Sequence, residues 1–243
     1  KINMLKYNII TVINGVTPTS MPLNEFLTYR KDNLGENGSV MTLSKFDNKK
    51  HKKFSNLNVI SFNKNPKAFI IFIWSNSNMI FHLHQPRSAF LVTLISLILP
   101  KKFNRVITVH NNFDKFKKMI QWVIIFNIIF AKKVTFVSKS SIDSFPKIFR
   151  NIFRNKCSAV TNGVDLTRVD NYLNNKSLEK SNNSMIKLVY IGKLHIQKNH
   201  DKILKILSKL PKNYKLTIIG EGAERDKLEK LIKKLYITDR VVI

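Results

Sequence analysis

The 243-residue chain is short of acidic residues and almost without cysteine. Fifteen Asp and Glu stand against 42 Lys and Arg, a formal charge of +27. The single cysteine, Cys157, excludes an internal disulfide framework and any zinc site built from thiolates. Two apolar helical runs, residues 90–99 and 119–131, both fall short of the roughly 20 residues that span a bilayer. No signal peptide is visible: after Lys1 and Lys6 only residues 9–13 are apolar before Asn14 and Gly15. The opening on Lys1, without a methionine, reads as a trimmed start. Zinc-finger spacing, a long Arg-rich arm and an RRM-type aromatic signature are all missing.

What is present describes a globular chain, with 44% hydrophobic and 23% charged residues. The basic excess is densest over residues 101–160, with 13 basic against 2 acidic residues. Such a field draws a protein towards anionic surfaces. Anionic lipid or nucleotide is favoured over DNA, and nucleic acid is not expected as a partner.

Short apolar runs alternate with helical ones from Tyr7 to Cys157. Residues 8–13, 58–62, 79–83, 105–109 and 133–137 read as buried strands. Residues 22–30, 87–99, 115–131 and 139–149 read as the helices between them. This alternation predicts an α/β fold with a parallel sheet and helices on both faces. A polar stretch, 169–184, interrupts it and reads as a surface connection. The alternation then resumes with strands at 187–191, 215–219 and 240–243, and helices at 200–210 and 223–235. In the last helix Leu228, Leu231, Ile232 and Leu235 form one apolar stripe. The expected organisation is a first domain over 1–165, a connection over 166–185 and a partial second domain over 186–243. Three strands and two helices do not complete a doubly wound domain, so the chain is expected to be a C-terminally truncated fragment.

Two short stretches carry most of the functional signal. Ile191-Gly192-Lys193-Leu194 leads on to Lys198-Asn199, and Ile219-Gly220-Glu221-Gly222 leads on to Ala223-Glu224. Each places a strand end, a turn and a helix start in succession, where backbone N–H groups can receive an anion. Lys193 and Lys198 would add charge to that dipole. An ordinary strand–helix turn with surface lysines is the alternative for either stretch alone.

Taken in order, Thr161-Asn162-Gly163-Val164-Asp165, Gly192-Lys193-Leu194 with Lys198-Asn199, and Gly220-Glu221-Gly222 with Glu224 resemble the family 4 retaining glycosyltransferases of the GT-B fold. Phe81-His82-Leu83-His84-Gln85-Pro86, Thr108-Val109-His110-Asn111 and residues 133–138 look like the strand ends of that family's acceptor-side domain. The resemblance implies two Rossmann-like doubly wound domains, the second incomplete here. It also implies a nucleoside-diphosphate-sugar donor, a surface-glycan or lipid-linked acceptor, no further cofactor and no metal. Lys193, where the family has Arg, and Lys198 would hold the donor diphosphate and stabilise the leaving charge. Lys in place of Arg keeps the charge but loses the bidentate fork. Gly192, Gly220, Glu221 and Gly222 would border the nucleotide, and Asn162 and Gly163 would shape the interdomain turn. His110 would lie near the reacting sugar in a positioning role.

The family's Gly-Gly first loop is replaced by Gly15-Val16-Thr17, and its Glu-x7-Glu element is absent. Glu221 and Glu229 have that spacing, but Glu229 falls inside a helix. The fragment alone is therefore not expected to catalyse transfer. His82 and His84 share a strand face and could begin a metal site, with strand-end hydrogen bonding the preferred reading. The helix at 115–131 is flanked by Lys115, Lys117, Lys118, Lys132 and Lys133 and contains Trp122, a pattern suited to an anionic membrane surface. The expected location is cytoplasmic, with peripheral attachment to the inner face of the membrane as a secondary reading. The competing functions are a non-catalytic basic domain that binds anionic lipid or nucleic acid, and another GT-B enzyme such as a sugar-nucleotide epimerase.

Overall fold

The computed structural model describes residues 9–15, 38–44, 59–62, 65–163, 166–174 and 185–243. The helix expected over 22–30 and the loop after Gly15 lie outside these residues. Two compact units divide the chain, Lys1–Val169 and Asp170–Ile243. Among the described residues every strand pairing in both units is parallel, as the alternation of strands and helices requires.

Among the described residues the first unit holds seven strands: β1 (Ile9–Ile13), β2 (Gly38–Thr42), β3 (Val59–Ser61), β4 (Ile80–Leu83), β5 (Asn104–Val109), β6 (Lys133–Phe136) and β7 (Cys157–Ala159). Their spatial order is β3-β2-β1-β4-β5-β6-β7. Helices α1 (Pro66–Ser75), α2 (Pro86–Ile98) and α3 (Lys118–Phe130) join β3 to β4, β4 to β5 and β5 to β6. All three crossovers step the same way, so right-handed connections place the three helices on one face of the sheet. There α2 packs between α1 and α3. Ile10, Val12, Phe81, Leu83, Val134 and Phe136 fill the core from the strands.

Local chemistry fixes the helix ends. Pro66 opens α1 while the Asn65 side chain accepts from the Ala68 N–H at 3.1 Å. Half-buried Arg105 donates from Nη2 to the Phe130 carbonyl at 2.9 Å, and from Nη1 to Ser96 Oγ. One guanidinium thus ties the C-terminal ends of α2 and α3 together. The single helix expected over 139–149 is two, α4 (Lys139–Asp143) and α5 (Lys147–Phe153), separated at Pro146, which has no N–H to continue the first. Strands β2 and β7 and helix α1 were not foreseen. A further helix, α6 (Thr167–Asn174), occupies part of the polar stretch and straddles the boundary of the two units in sequence.

The second unit contains β8 (Ile186–Ile191), β9 (Tyr214–Ile219) and β10 (Val241–Val242), in the order β10-β9-β8. Helices α7 (His200–Leu207) and α8 (Arg225–Lys234) complete it among the described residues. Leu204 and Leu207 of α7 meet Leu228 and Ile232 of α8 over Leu216 and Ile218 of β9. The stripe read from sequence on α8 is the face it buries.

Candidate functional site

In the first unit the strand order reverses between β1 and β4, the place where adjacent connections diverge and a crevice opens at the strands' carboxyl ends. Asn14 and Gln85 follow those two strands and bridge the gap. The Asn14 N–H donates to Gln85 Oε1, and Asn14 Oδ1 accepts from the Ser88 N–H at 3.2 Å in the first turn of α2.

Three histidines line the adjoining strand ends. His82 Nε2 lies 2.7 Å from Thr108 Oγ1, which is 2.7 Å from Thr135 Oγ1. His84 Nδ1 lies 3.0 Å from His110 Nε2, with the two rings stacked. One of that pair must be a neutral acceptor. Burial lowers the His110 pKa from its ordinary value, which favours the neutral ring there. His82 and His84 thus hydrogen-bond along the strand ends. Among the described residues no group of three His, Cys, Asp or Glu is arranged to hold a metal ion.

Beside the histidines a cavity of about 340 Å³ runs between β5, α2 and α3. Its mouth is polar, with Gln85, His110, Asn111 and Asn162, and its wall is apolar, with Ala89, Ile107 and Ile124. Asn127 of α3 lines it and is only 2% exposed. The Asn127 Nδ2 donates to the Pro86 carbonyl at 3.2 Å, while its Oδ1 is buried with no hydrogen-bond partner. A buried acceptor in this state can take a hydrogen bond from a donor that enters the cavity.

The second unit presents a different kind of site. Two loops, 192–199 after β8 and 220–224 after β9, are joined backbone to backbone. The Gly192 N–H donates to the Ile219 carbonyl at 2.9 Å, and the Leu194 N–H donates to the Glu221 carbonyl at 2.9 Å. Glu224 returns its N–H to the Leu194 carbonyl at 3.3 Å. A Cβ on Gly220 would stand 1.9 Å from the Gly192 carbonyl oxygen, and one on Gly222 2.2 Å from that of Leu194. Glycine is thus required twice by the chain's own second loop. Leu194 is fully buried and anchors its loop in the core, leaving Lys193 and Lys198 exposed on either side. The Lys198 stem passes 3.8 Å from where a Gly192 Cβ would be, and the Lys198 carbonyl accepts from the Tyr190 hydroxyl at 2.7 Å. Asn199 takes a left-handed conformation (φ 52°) and starts α7. Behind it His200 is buried edge-on against Tyr190, its pKa lowered by burial and by the Lys198 charge.

The residues singled out in sequence therefore fall into two groups. Gly192, Lys193, Lys198, Gly220, Glu221 and Gly222 come together at one end of the three-stranded sheet. His110 and Asn162 come together at the cavity of the first unit, with Gly163 following in the exposed chain. Glu229 lies inside α8, where it accepts from Arg225 Nε at 2.9 Å as a helix-surface pair. The Asn14–Gln85 bridge, His200 and Asn127 were missed. A signal for Asn127 existed: it is the one polar residue in the last eight of the apolar run 119–130.

Residues 173–243 match the family described as Glycosyl transferases group 1. Over 106 residues, 44% of this chain, the sequence is 29% identical to N-acetylgalactosamine-N,N'-diacetylbacillosaminyl-diphospho-undecaprenol 4-alpha-N-acetylgalactosaminyltransferase of Campylobacter jejuni. That alignment spans 28% of the Campylobacter protein. Among solved structures, Anabaena HepE in complex with UDP superposes with a TM-score of 0.72 at 13% identity, over 96% of this chain and 68% of that one. The lipopolysaccharide outer core galactosyltransferase WaaB gives a TM-score of 0.69 at 16% identity, over 96% of this chain and 66% of its own. This chain thus spans about two thirds of the length of those two structures.

Proposed function

We propose that the chain, which has a GT-B fold and matches the group 1 glycosyltransferase model over residues 173–243, is a glycosyltransferase that moves a sugar from a nucleoside-diphosphate sugar to a surface-glycan or lipid-linked acceptor, with retention of configuration. The observation that carries this reading is the pair of locked loops in the second unit. Their glycines bring two strand ends against each other, and the two lysines stand exposed around them. A diphosphate seated there would meet two positive charges on a backbone already fixed by its own hydrogen bonds. Charge developing on the leaving diphosphate would then be stabilised without reorganisation. UDP in the HepE complex and the undecaprenol-linked substrate in the name of the Campylobacter relative support the donor and acceptor classes. In the first unit, neutral His110, held by His84, would position a sugar by hydrogen bonding instead of taking a proton.

Calorimetric titration of the full chain with UDP, GDP, ADP and the matching monophosphates tests this reading. One diphosphate should bind selectively, and Lys193→Gln or Lys198→Gln should weaken it by about tenfold or more, the scale of a lost charge-assisted contact. Equal, salt-sensitive binding of every polyanion would overturn it and leave a basic binding domain.

A further inference from the structure

Helix α2 is built inside out. The side chains it turns inwards and buries are Ser88, Ala89, Val92, Thr93 and Ser96. Leu94, Leu97 and Ile98 face outwards, the last of them 74% exposed. A surface helix ordinarily does the reverse. Small residues let α2 lie close on the sheet, but they do not account for leucines in water.

Its neighbours repeat the pattern. On α1, Ile71 is 64% exposed and Trp74 40%, while Phe69 and Ile73 face the core. On α3, Met119 is 68% exposed and Trp122 71%, opposite buried Ile124 and Ile128. The three helices pack side by side on one face of the sheet, so these residues belong to one face. That exceeds the scattered apolar exposure normal for a soluble surface.

Charge identifies what the face meets. None of the three helices contains an acidic residue, and between Asp47 and Asp143 the sequence has only Asp114. The first turns of α1, α2 and α3 carry exposed Lys67, Arg87 and Lys118. Cations at helix N-termini oppose the macrodipole, so helix stability does not explain them. Exposed Lys101 and Lys102 follow α2, and Lys132 and Lys133 follow α3, at the opposite ends. The apolar face is therefore bordered by positive charge at both ends of the helices. Both tryptophans of the chain lie within it, and Lys101 Nζ stands 4.7 Å over the Trp74 ring. Indole and lysine stem side by side suit the boundary between headgroups and acyl chains.

We propose that the α1–α2–α3 face is a docking surface for an anionic phospholipid bilayer. The leucines and tryptophans enter the acyl boundary, and the basic residues at the helix ends engage lipid phosphates. The inference extends the sequence reading, which rested on α3 and its flanking lysines alone. It stands on the surface of the first unit and does not depend on the transferase reading. The same two helices, α2 and α3, line the cavity with their inner residues, so a lipid-anchored acceptor would have its anchor on the side where the cavity lies.

The two tryptophans make the test direct. The full chain is mixed with vesicles of phosphatidylcholine alone or with added phosphatidylglycerol, with and without acyl-chain bromination. Tryptophan fluorescence should shift to the blue and be quenched by brominated chains only when phosphatidylglycerol is present. Leu97→Glu with Ile98→Glu should weaken partitioning by about tenfold or more while leaving the circular dichroism spectrum and nucleotide titration unchanged. Three results would overturn the proposal: no vesicle binding, binding without quenching by brominated chains, or a lipid-independent blue shift. A concentration-dependent dimer accompanying that last result would assign the face to a second copy. A monomer would assign it to another segment of this chain.

Discussion

The two units build their sites from different materials. In the first, side chains reach partners in distant parts of the sequence: Gln85 Oε1 the Asn14 N–H, His84 the His110 ring, and Asn127 Nδ2 the Pro86 carbonyl. In the second, backbone meets backbone, and two exposed lysines within six residues of one another flank the joined loops. A site made of backbone is stiff but intolerant, because each atom of the loop is also a structural contact. A site made of side chains tolerates change in shape, and its cost lies in buried polar atoms that need partners.

The largest effect should come from breaking the backbone site. Gly220→Ala places a methyl 1.9 Å from the Gly192 carbonyl, a group pinned by the hydrogen bond from Gly192 N–H to Ile219. Neither loop can move without losing the hydrogen bonds between them. The substitution should cost about 3 kcal/mol, the range of steric strain at a fixed contact, and urea unfolding should show early loss of the second unit. Gly163→Ala in the first unit is the control. Nothing lies within 4 Å of its Cβ position, and stability should hold within about 0.5 kcal/mol. Equal costs at the two glycines would erase the contrast between the units.

This difference also explains what was legible in the sequence. The loops at Gly192 and Gly220 were readable because each motif is local, a strand end and a helix start within ten residues. That the second loop's glycines are needed against the first loop was not readable, since the contact crosses the whole of α7. In the first unit the strands with continuous apolar runs were found. Strand β2 begins Gly38-Ser39 and so has the composition of a turn. Helix α1 was missed because Ile70, Ile71 and Trp74 face outwards while Phe69 and Ile73 face inwards, which leaves no apolar stripe to detect. The surface that hides α1 from pattern reading is the one that later identifies a docking face.

A middle-sized effect should follow from Asn127. Asn127→Ala removes its hydrogen bond to the Pro86 carbonyl and enlarges the cavity, at a cost of about 1–2 kcal/mol in urea unfolding. Asn127→Leu keeps the branching, adds bulk that the adjoining cavity can take up, and removes the unpartnered Oδ1 together with the donor, so its stability cost should be close to zero. The comparison sharpens if that variant nonetheless raises the acceptor Kd by roughly tenfold in a binding titration. That loss would make the orphaned oxygen a ligand contact. An unchanged Kd would make it a packing residue.

The smallest effect separates the units by titration, since no atom is removed and a protonated ring can draw in water. His110 in the first unit and His200 in the second both have pKa values lowered by burial, and His200 also by Lys198. In each case the unfolded chain binds the proton more readily than the folded one. Stability therefore rises with pH across the window between the lowered value and the ordinary value of about 6.5, and it is fully retained above that window. Below it the charged ring is buried in both units, and the stabilisation is lost. Unfolding followed from pH 7.5 to 5 should thus show destabilisation as acid is added, and the slope should flatten in His200→Gln for the second unit and His110→Gln for the first. The two rings differ in what they hold. His110 shares a proton position with His84, so its loss leaves a histidine seeking a donor or acceptor at the cavity mouth. His200 packs behind the lysine loop, so its protonation sets positive charge directly beneath Lys198. Acid should on that account weaken diphosphate binding through the loop's geometry even though it adds positive charge. A diphosphate affinity that instead rises steadily with acid would show that net charge, and not the locked backbone, governs the second site.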